Sequence, residues 1–442
     1  MSRVGDGDLH RAERAVDRAI RAGADEAAVS VSTGRQLRIE HREGRPEGLF
    51  ESVRRTLTIR VFRAGRYSSH VTSDLREEQV ETFIDAAVAA TRYLAEDPHR
   101  RLPDPEWYPE GDPPDLALRD PEAEDRTVEE KIARAAEIEA AARGSEGPIL
   151  TVSAHYADHL SDSVRVHSNG FSGRLSASAF SESAEVGVRD GDRGRPQGGF
   201  GASVRRYADL PDPETVGREA ARRAMDRIGQ QTGPSGRYPL VVENRVAPRL
   251  LGTLLGATSG RAVQQRASYL EGMIGERIGS PVLTLEDDPL RVGWLGSRPF
   301  DGEGLAARPR RIIDAGVLRH YYLNTYYARK LEMAPTSGTP SNLIIPPGER
   351  SLEEMVRDLG RGILVTGFLG GNVNATTGDF SLGIIGHRIE RGERAGPINE
   401  MNIAGNAINL WQSLVETGND PYPYAASRTP SLRFSEAELS GS

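Results

Sequence analysis

Apolar and polar positions change period along this chain, and each change marks an element. Leu9, Ala12, Val16 and Ile20 fall at the three-and-four spacing of one helix face, so a helix is predicted from Leu9 to about Ala22, with Gly23 as its stop. The period then becomes two. Ala28-Val-Ser-Val-Ser, Gln36-Leu-Arg-Ile-Glu and Arg55-Thr-Leu-Thr-Ile-Arg-Val-Phe predict half-buried strands. Gly65 turns into Tyr67-Ser-Ser-His-Val, and Asp74 and Glu77 have capping-box spacing for a helix through Phe83, Ala87 and Tyr93. Residues 1–96 therefore read as a helix and antiparallel-sheet module, and residues 97–121, rich in Pro, Asp and Glu, as a linker.

A second module is predicted at 122–232. Thr127 and Glu130 box the start of a helix with Ile132, Ala135 and Ile138 inward. Strands follow at Ile149 to about Ser168, Gly173 to Val188 and Phe200 to Val204, with Asn169-Gly170 as a hairpin turn. Asp212-Pro213 caps a helix expected to end at Gly229, and Gln230 to Arg237 is a second linker. Residues 233–442 open with Tyr238-Pro-Leu-Val-Val and a helix through Val246, Leu250 and Leu254. Short apolar strands and glycine-rich turns follow, and Ser351 and Glu354 cap a late helix. No repeat at a fixed period is visible. The predicted class is α+β: N-terminal helix and antiparallel-sheet modules, then a larger β-rich C-terminal domain.

Composition narrows the function. At roughly 150 residues per domain, 442 residues make two or three domains. A formal net charge of −8 supplies no general attraction to nucleic acid or to an anionic membrane. The absence of cysteine excludes disulfides, thiolate catalysis and Cys-ligated zinc in this chain. The opening residues turn polar at once, without the apolar core of a signal peptide, and the longest apolar run, Gly362 to Gly371, is about half a membrane span. A cytoplasmic protein is expected.

Candidate chemistry is sparse. His155 and His159 have the spacing of a helical zinc pair but lie in a strand pattern, where they stand roughly 13 Å apart, too far to share one ion. Glu286-Asp287-Asp288 could hold a cation or divide acid and base roles, yet carboxylates before a proline such as Pro289 are the ordinary content of a solvated turn. Gly367-Phe-Leu-Gly370-Gly371-Asn372 lacks the Lys-Ser/Thr of a phosphate loop and reads as a tight turn that lets backbones approach. No Gly-x-Ser-x-Gly elbow is present, and His320 and His387 are the remaining histidines of interest.

The last hundred residues carry a resemblance. Leu364-Val-Thr-Gly-Phe-Leu-Gly-Gly-Asn372, Ala375-Thr-Thr-Gly-Asp-Phe-Ser381, Gly383-Ile-Ile-Gly386, Pro397-Ile-Asn-Glu400 and Asn402-Ile-Ala-Gly-Asn406 resemble, in order, the C-terminal signature of the TldD/TldE (PmbA) family. Leu250 to Gln264, Tyr321 to Lys330 and the Asp287-Asp288-Pro289 turn resemble its PmbA branch. In that family the TldD-type subunit is a metallopeptidase. Its ligands lie in a His-Glu-x-x-x-His motif on the helix corresponding to the one near Val246, and a cysteine near the C-terminus completes the set. Here that stretch reads Asn244-Arg-Val-Ala-Pro-Arg-Leu-Leu-Gly-Thr, and the cysteine region reads Tyr422-Pro-Tyr-Ala-Ala-Ser427.

The resemblance thus implies a non-catalytic TldE-type subunit, with no catalytic or metal-ligating residue and no cofactor of its own. Zinc would reside in a TldD-like partner that hydrolyses unfolded peptides within a heterodimer. Asn372, Thr377, Asp379, Asn399, Glu400 and Asn406, the polar positions of the signature, are expected to form turns and touch the partner first, and substrate second. Two other readings stand beside this one. The first is a self-sufficient hydrolase using Asp287, Asp288 and His320 or His387. The second is a homodimeric, non-proteolytic binding protein acting on gyrase or another client.

Overall fold

The computed structural model describes residues 5–192 and 194–441. Helix α1 (Asp6–Arg21) leads into β1 (Glu26–Arg42), β2 (Arg45–Arg63), β3 (Arg66–Thr72) and α2 (Glu77–Thr91). The same order then recurs as α3 (Val128–Arg143), β4 (Ile149–His167), β5 (Ser172–Val188), β6 (Gln197–Val204) and α4 (Pro213–Met225). The architecture is α+β, as the residue pattern predicted.

The six strands form one antiparallel sheet in the order β3-β2-β1-β4-β5-β6. Its two halves join where β1 pairs with β4, from Ala28 opposite His167 to Arg42 opposite Ser153. With β2 on its other edge, β1 is bonded on both sides. The strands predicted at 28–32 and 36–40 are therefore one strand, because two ladders hold Thr33-Gly34-Arg35 extended where side-chain alternation lapses.

All four helices cover the same face of this sheet. Beneath them Val29, Val31, Ile59, Val152 and Val186 are wholly buried. The other face carries Gln36, His155, His159 and Ser183, none of them buried. On β4 the two histidines lie on that uncovered face, as strand spacing requires.

Local signals held where the partner atoms are close in sequence. Thr127 Oγ1 accepts from the Glu130 N–H at 3.2 Å, and Glu130 accepts from the Thr127 N–H at 2.7 Å. Ser351 and Glu354 form the same box, and Asn169-Gly170 turns β4 into β5 with Gly170 at φ +103°. The box predicted at Asp74 and Glu77 does not form. Arg76 is the residue preceding α2, and Asp74 instead accepts from the Arg76 N–H at 3.1 Å and pairs with its guanidinium, closing a turn on itself.

The C-terminal domain runs through β7 (Gly236–Val242), α5 (Pro248–Leu255), α6 (Gly260–Gln264), β8 (Leu285–Asp287), β9 (Arg310–Asp314), β10 (Val317–Leu318), α7 (Thr325–Lys330), β11 (Leu343–Ile344) and α8 (Leu352–Leu359). It ends with β12 (Arg361–Val373), β13 (Asp379–Glu390), β14 (Glu393–Asn406), α9 (Ala407–Gln412), β15 (Leu414–Thr417), β16 (Ser427–Arg428) and β17 (Leu432–Gly441). One sheet has the order β14-β13-β12-β7-β17-β15, and pairing of β14 with β17 closes its first five strands into a barrel filled by Leu240, Val365, Leu382, Ile384 and Ile403. A smaller sheet, β10-β9-β8-β11-β16, lies beside it. The glycine run at 367–371 lies inside β12 as a bulge, not in a turn. Gly371, at φ +97°, stands where an added Cβ would lie 2.3 Å from the Ser381 carbonyl, so the expected close backbone approach is real and the turn is not.

The 97–121 stretch binds the two halves of the molecule. The Tyr326 hydroxyl donates to Asp97 at 2.7 Å, Arg329 donates to the Arg101 and Leu102 carbonyls at 2.9 and 2.6 Å, and Tyr108 packs with Phe171 and Phe300. Among the described residues, no helix is long and apolar enough to cross a membrane.

Under α3 the sheet buries charge. Lys131 Nζ lies 2.7 Å from Asp158, with both side chains almost fully enclosed. Removing Lys131 leaves the buried Asp158 with only the more distant Arg35, at 3.8 Å, to offset its charge, so Lys131→Met should cost up to about 3–5 kcal/mol, whereas Lys131→Met with Asp158→Leu should recover most of that loss. Denaturant unfolding of the three proteins checks this.

Candidate functional site

Three of the six signature residues meet at one place. The Thr377 hydroxyl donates to Asp379 at 2.7 Å, and Asn406 Nδ2 donates to the Thr377 carbonyl at 3.0 Å and to Asp379 at 3.3 Å. Asn406 Oδ1 also accepts from the Ile408 N–H, capping α9. Asn372 is exposed, opposite Ser381 in the ladder beyond the β12 bulge. Asn399 and Glu400 lie apart from this group, in β14 at a break of register, with Glu400 at φ +54°.

The carboxylates at 286–288 diverge. Glu286 pairs with Arg311 and Asp288 with Arg291. Asp287 is not in a solvated turn, as its proline neighbourhood implied. It is buried in β8, accepts from the Ser341 N–H at 3.0 Å and from the Ser341 hydroxyl, and burial raises its pKa.

A cleft of about 550 Å³ lies between the uncovered face and β6 edge of the six-stranded sheet and strands β12 and β13 of the barrel. His155 and His387, separate in sequence, both line it. Most of its charge comes from residues that no spacing rule singled out. The last turn of α4 and the residues just after it deliver Arg222, Arg223, Asp226 and Arg227, and the segment following β7 delivers Glu243 and Arg245. Basic side chains suit a helix C-terminus because they face its negative end.

These groups form a connected network. Arg223 binds Glu243 with both terminal nitrogens, one at 2.9 Å, and so ties α4 to the barrel. Arg222 reaches Glu219 at 2.7 Å and Asp226 at 2.6 Å. Arg394 pairs with Glu353 at 2.8 Å. Arg245 differs from these. Its Nη2 donates to the Thr366 carbonyl at 3.2 Å, its Nε is buried without a partner, and no described carboxylate forms an ion pair with it. Burial and the neighbouring Arg223 lower its pKa, but an arginine keeps its charge at neutral pH.

Arg245 stands in the lead-in to α5, just before Pro248 opens the helix. The residue before it, Asn244, has its amide committed to the Asp420 carbonyl, while Thr429 donates to the Asn244 carbonyl at 3.2 Å. The lead-in to α5 and the stretch around 420–431 are thereby held together. Among the described residues, no group of three or more His, Asp or Glu side chains is placed to hold a metal ion.

The PmbA/TldA metallopeptidase family matches this chain in three parts: domain 1 at residues 27–91, the central domain at 121–228 and the C-terminal domain at 235–441. The metalloprotease PmbA of Escherichia coli O157:H7 is 32% identical over 421 residues, which span 94% of this chain and 92% of that protein. A PmbA homologue from Haemophilus influenzae is 28% identical, spanning 97% and 94%. A crystal structure from Bacteroides thetaiotaomicron, described as a candidate modulator of DNA gyrase, matches with a TM-score of 0.96 at 37% identity over 99% of this chain and all of that one. TldE from Thermococcus kodakarensis shares the fold, with a TM-score of 0.87 at 22% identity over 98% and 100% of the two chains. The chain belongs to the PmbA/TldD metallopeptidase family.

His387 gives the cleft a pH dependence. Its Nε2–H donates to the Asp226 carbonyl at 3.1 Å, which leaves Nδ1 as a bare, buried acceptor. Burial and nearby Arg394 hold its pKa below the ordinary value, against a smaller opposing effect from Asp226. The unfolded chain takes up this proton near pH ~6.5 while the folded chain refuses it, so stability falls as pH drops below that value. His387→Gln should flatten the fall by up to about one proton, read from unfolding free energies between neutral and mildly acidic pH.

Proposed function

We propose that this chain is the TldE-type, non-catalytic subunit of a PmbA/TldD peptidase assembly, with the zinc and the cleaving site in a TldD-type partner and an unfolded peptide as substrate. The carrying observation is the 244–253 stretch leading into α5, which holds no His, Asp or Glu and whose charged residues are Arg245 and Arg249. A catalytic zinc needs three anionic or neutral donors and an open position for water. A guanidinium supplies no lone pair and repels a second cation, and Asn244 is already engaged. Family membership supports peptide chemistry, and the lack of metal donors in this stretch supports a metal held by the partner.

The test is cleavage of an unfolded peptide by this chain, by a TldD-type partner, and by their mixture, each with zinc and with a chelator. The mixture alone should cleave, and chelation should abolish it. Cleavage by this chain alone would overturn the proposal.

A further inference from the structure

We propose that the inter-domain cleft binds the free C-terminal carboxylate of a peptide through Arg245 and Arg227. The site deepens the subunit reading, and rests on it for the choice of a peptide as ligand.

The charge left over in the cleft carries the argument. Arg222, Arg223 and Arg394 are neutralised by Glu219, Asp226, Glu243 and Glu353. Among the described residues, no carboxylate forms an ion pair with Arg245 or Arg227. Arg227 donates only to neutral groups, the Gln197 carbonyl and Gln230 Oε1, the latter at 3.1 and 3.2 Å. Arg245 has one carbonyl partner and a buried Nε with none. A buried donor left unmade is costly, and an arriving acceptor removes that cost. Glu185 on β5 also lines the cleft without an ion pair and offsets one of the two positive charges.

Counted with their ion-pair partners, five arginines meet five carboxylates, so a ligand meets no net charge but two guanidiniums without a carboxylate of their own. Guanidinium groups also match the planar fork of a carboxylate better than any point charge does.

The walls suit a peptide end rather than a free ion. Phe200, Phe368, Leu369 and Ile385 line the cleft with apolar surface able to take a terminal side chain. His387 Nδ1, on the same lining, is an acceptor with no donor, the complement of a peptide N–H. The volume of about 550 Å³ lies within the range of small-ligand sites.

Two fluorescent peptides of one sequence ending in Phe, one a free acid and the other an amide, test this by anisotropy titration against the full chain alone. The acid should bind about tenfold more tightly than the amide, the effect of losing charge-assisted hydrogen bonds. Arg245→Met should reduce the acid to the affinity of the amide, and Arg245→Lys should restore part of the difference. Inorganic phosphate should displace the acid peptide no better than acetate at equal ionic strength. Equal binding of acid and amide to the unaltered chain would overturn the inference, and so would preferential displacement by phosphate, which would mark a bare anion site. Because no cleavage is measured, failure of the subunit reading would appear in the mixing assay and not here.

Discussion

The 17 residues of β1 run between β2 and β4, and that doubly bonded strand decides how the molecule is laid out. Without the β1–β4 ladder, the first two helix-and-strand units would each be a separate three-stranded sheet with helices on one side. With it they form one sheet whose four helices occupy a single face. The other face is polar and only partly covered, and it confronts the barrel. The cleft is a consequence of that arrangement. Its floor is a sheet face that has no helix to bury against, and its far wall is the pair β12 and β13.

Charge then organises the cleft. The Arg223–Glu243 pair joins α4 of the sheet domain to the end of β7 in the barrel, so the same contact that fixes the two halves also fixes the residue two positions on, Arg245. At the lead-in to α5 this chain presents a cation, Arg245, set between an engaged Asn244 and the apolar start of the helix. A few side chains and not the backbone set the sign of the potential there.

Much of the fold was legible in the residues. The Thr127 and Ser351 caps, the Asn169-Gly170 hairpin and the period-two runs act through atoms a few residues apart, and sequence spacing reports such atoms directly. The β1–β4 pairing joins residues more than a hundred positions apart and leaves no local mark. The doubling of the helix–strand–strand–strand–helix unit is likewise a likeness of layout without a likeness of residues. Asp74 has cap spacing, yet its carboxylate found a nearer donor in Arg76. Asp287 looked solvated because a proline follows it, although a neighbouring strand and Ser341 enclose it. The cleft itself was visible only in fragments. His155 and His387 stood out as rare residues, whereas Arg227 and Arg245 were lost among many scattered arginines, and only the fold shows which of these lack a carboxylate.

The central claim is that this family member carries no zinc site of its own. Equilibrium dialysis of the chain alone against zinc buffered by a competing chelator, followed by metal analysis, tests it most directly. Zinc well below one per chain at a free concentration that fills a typical protein site is the predicted result. One tightly held zinc per chain would contradict it, and would show that donors beyond residues 244–253 assemble a metal centre.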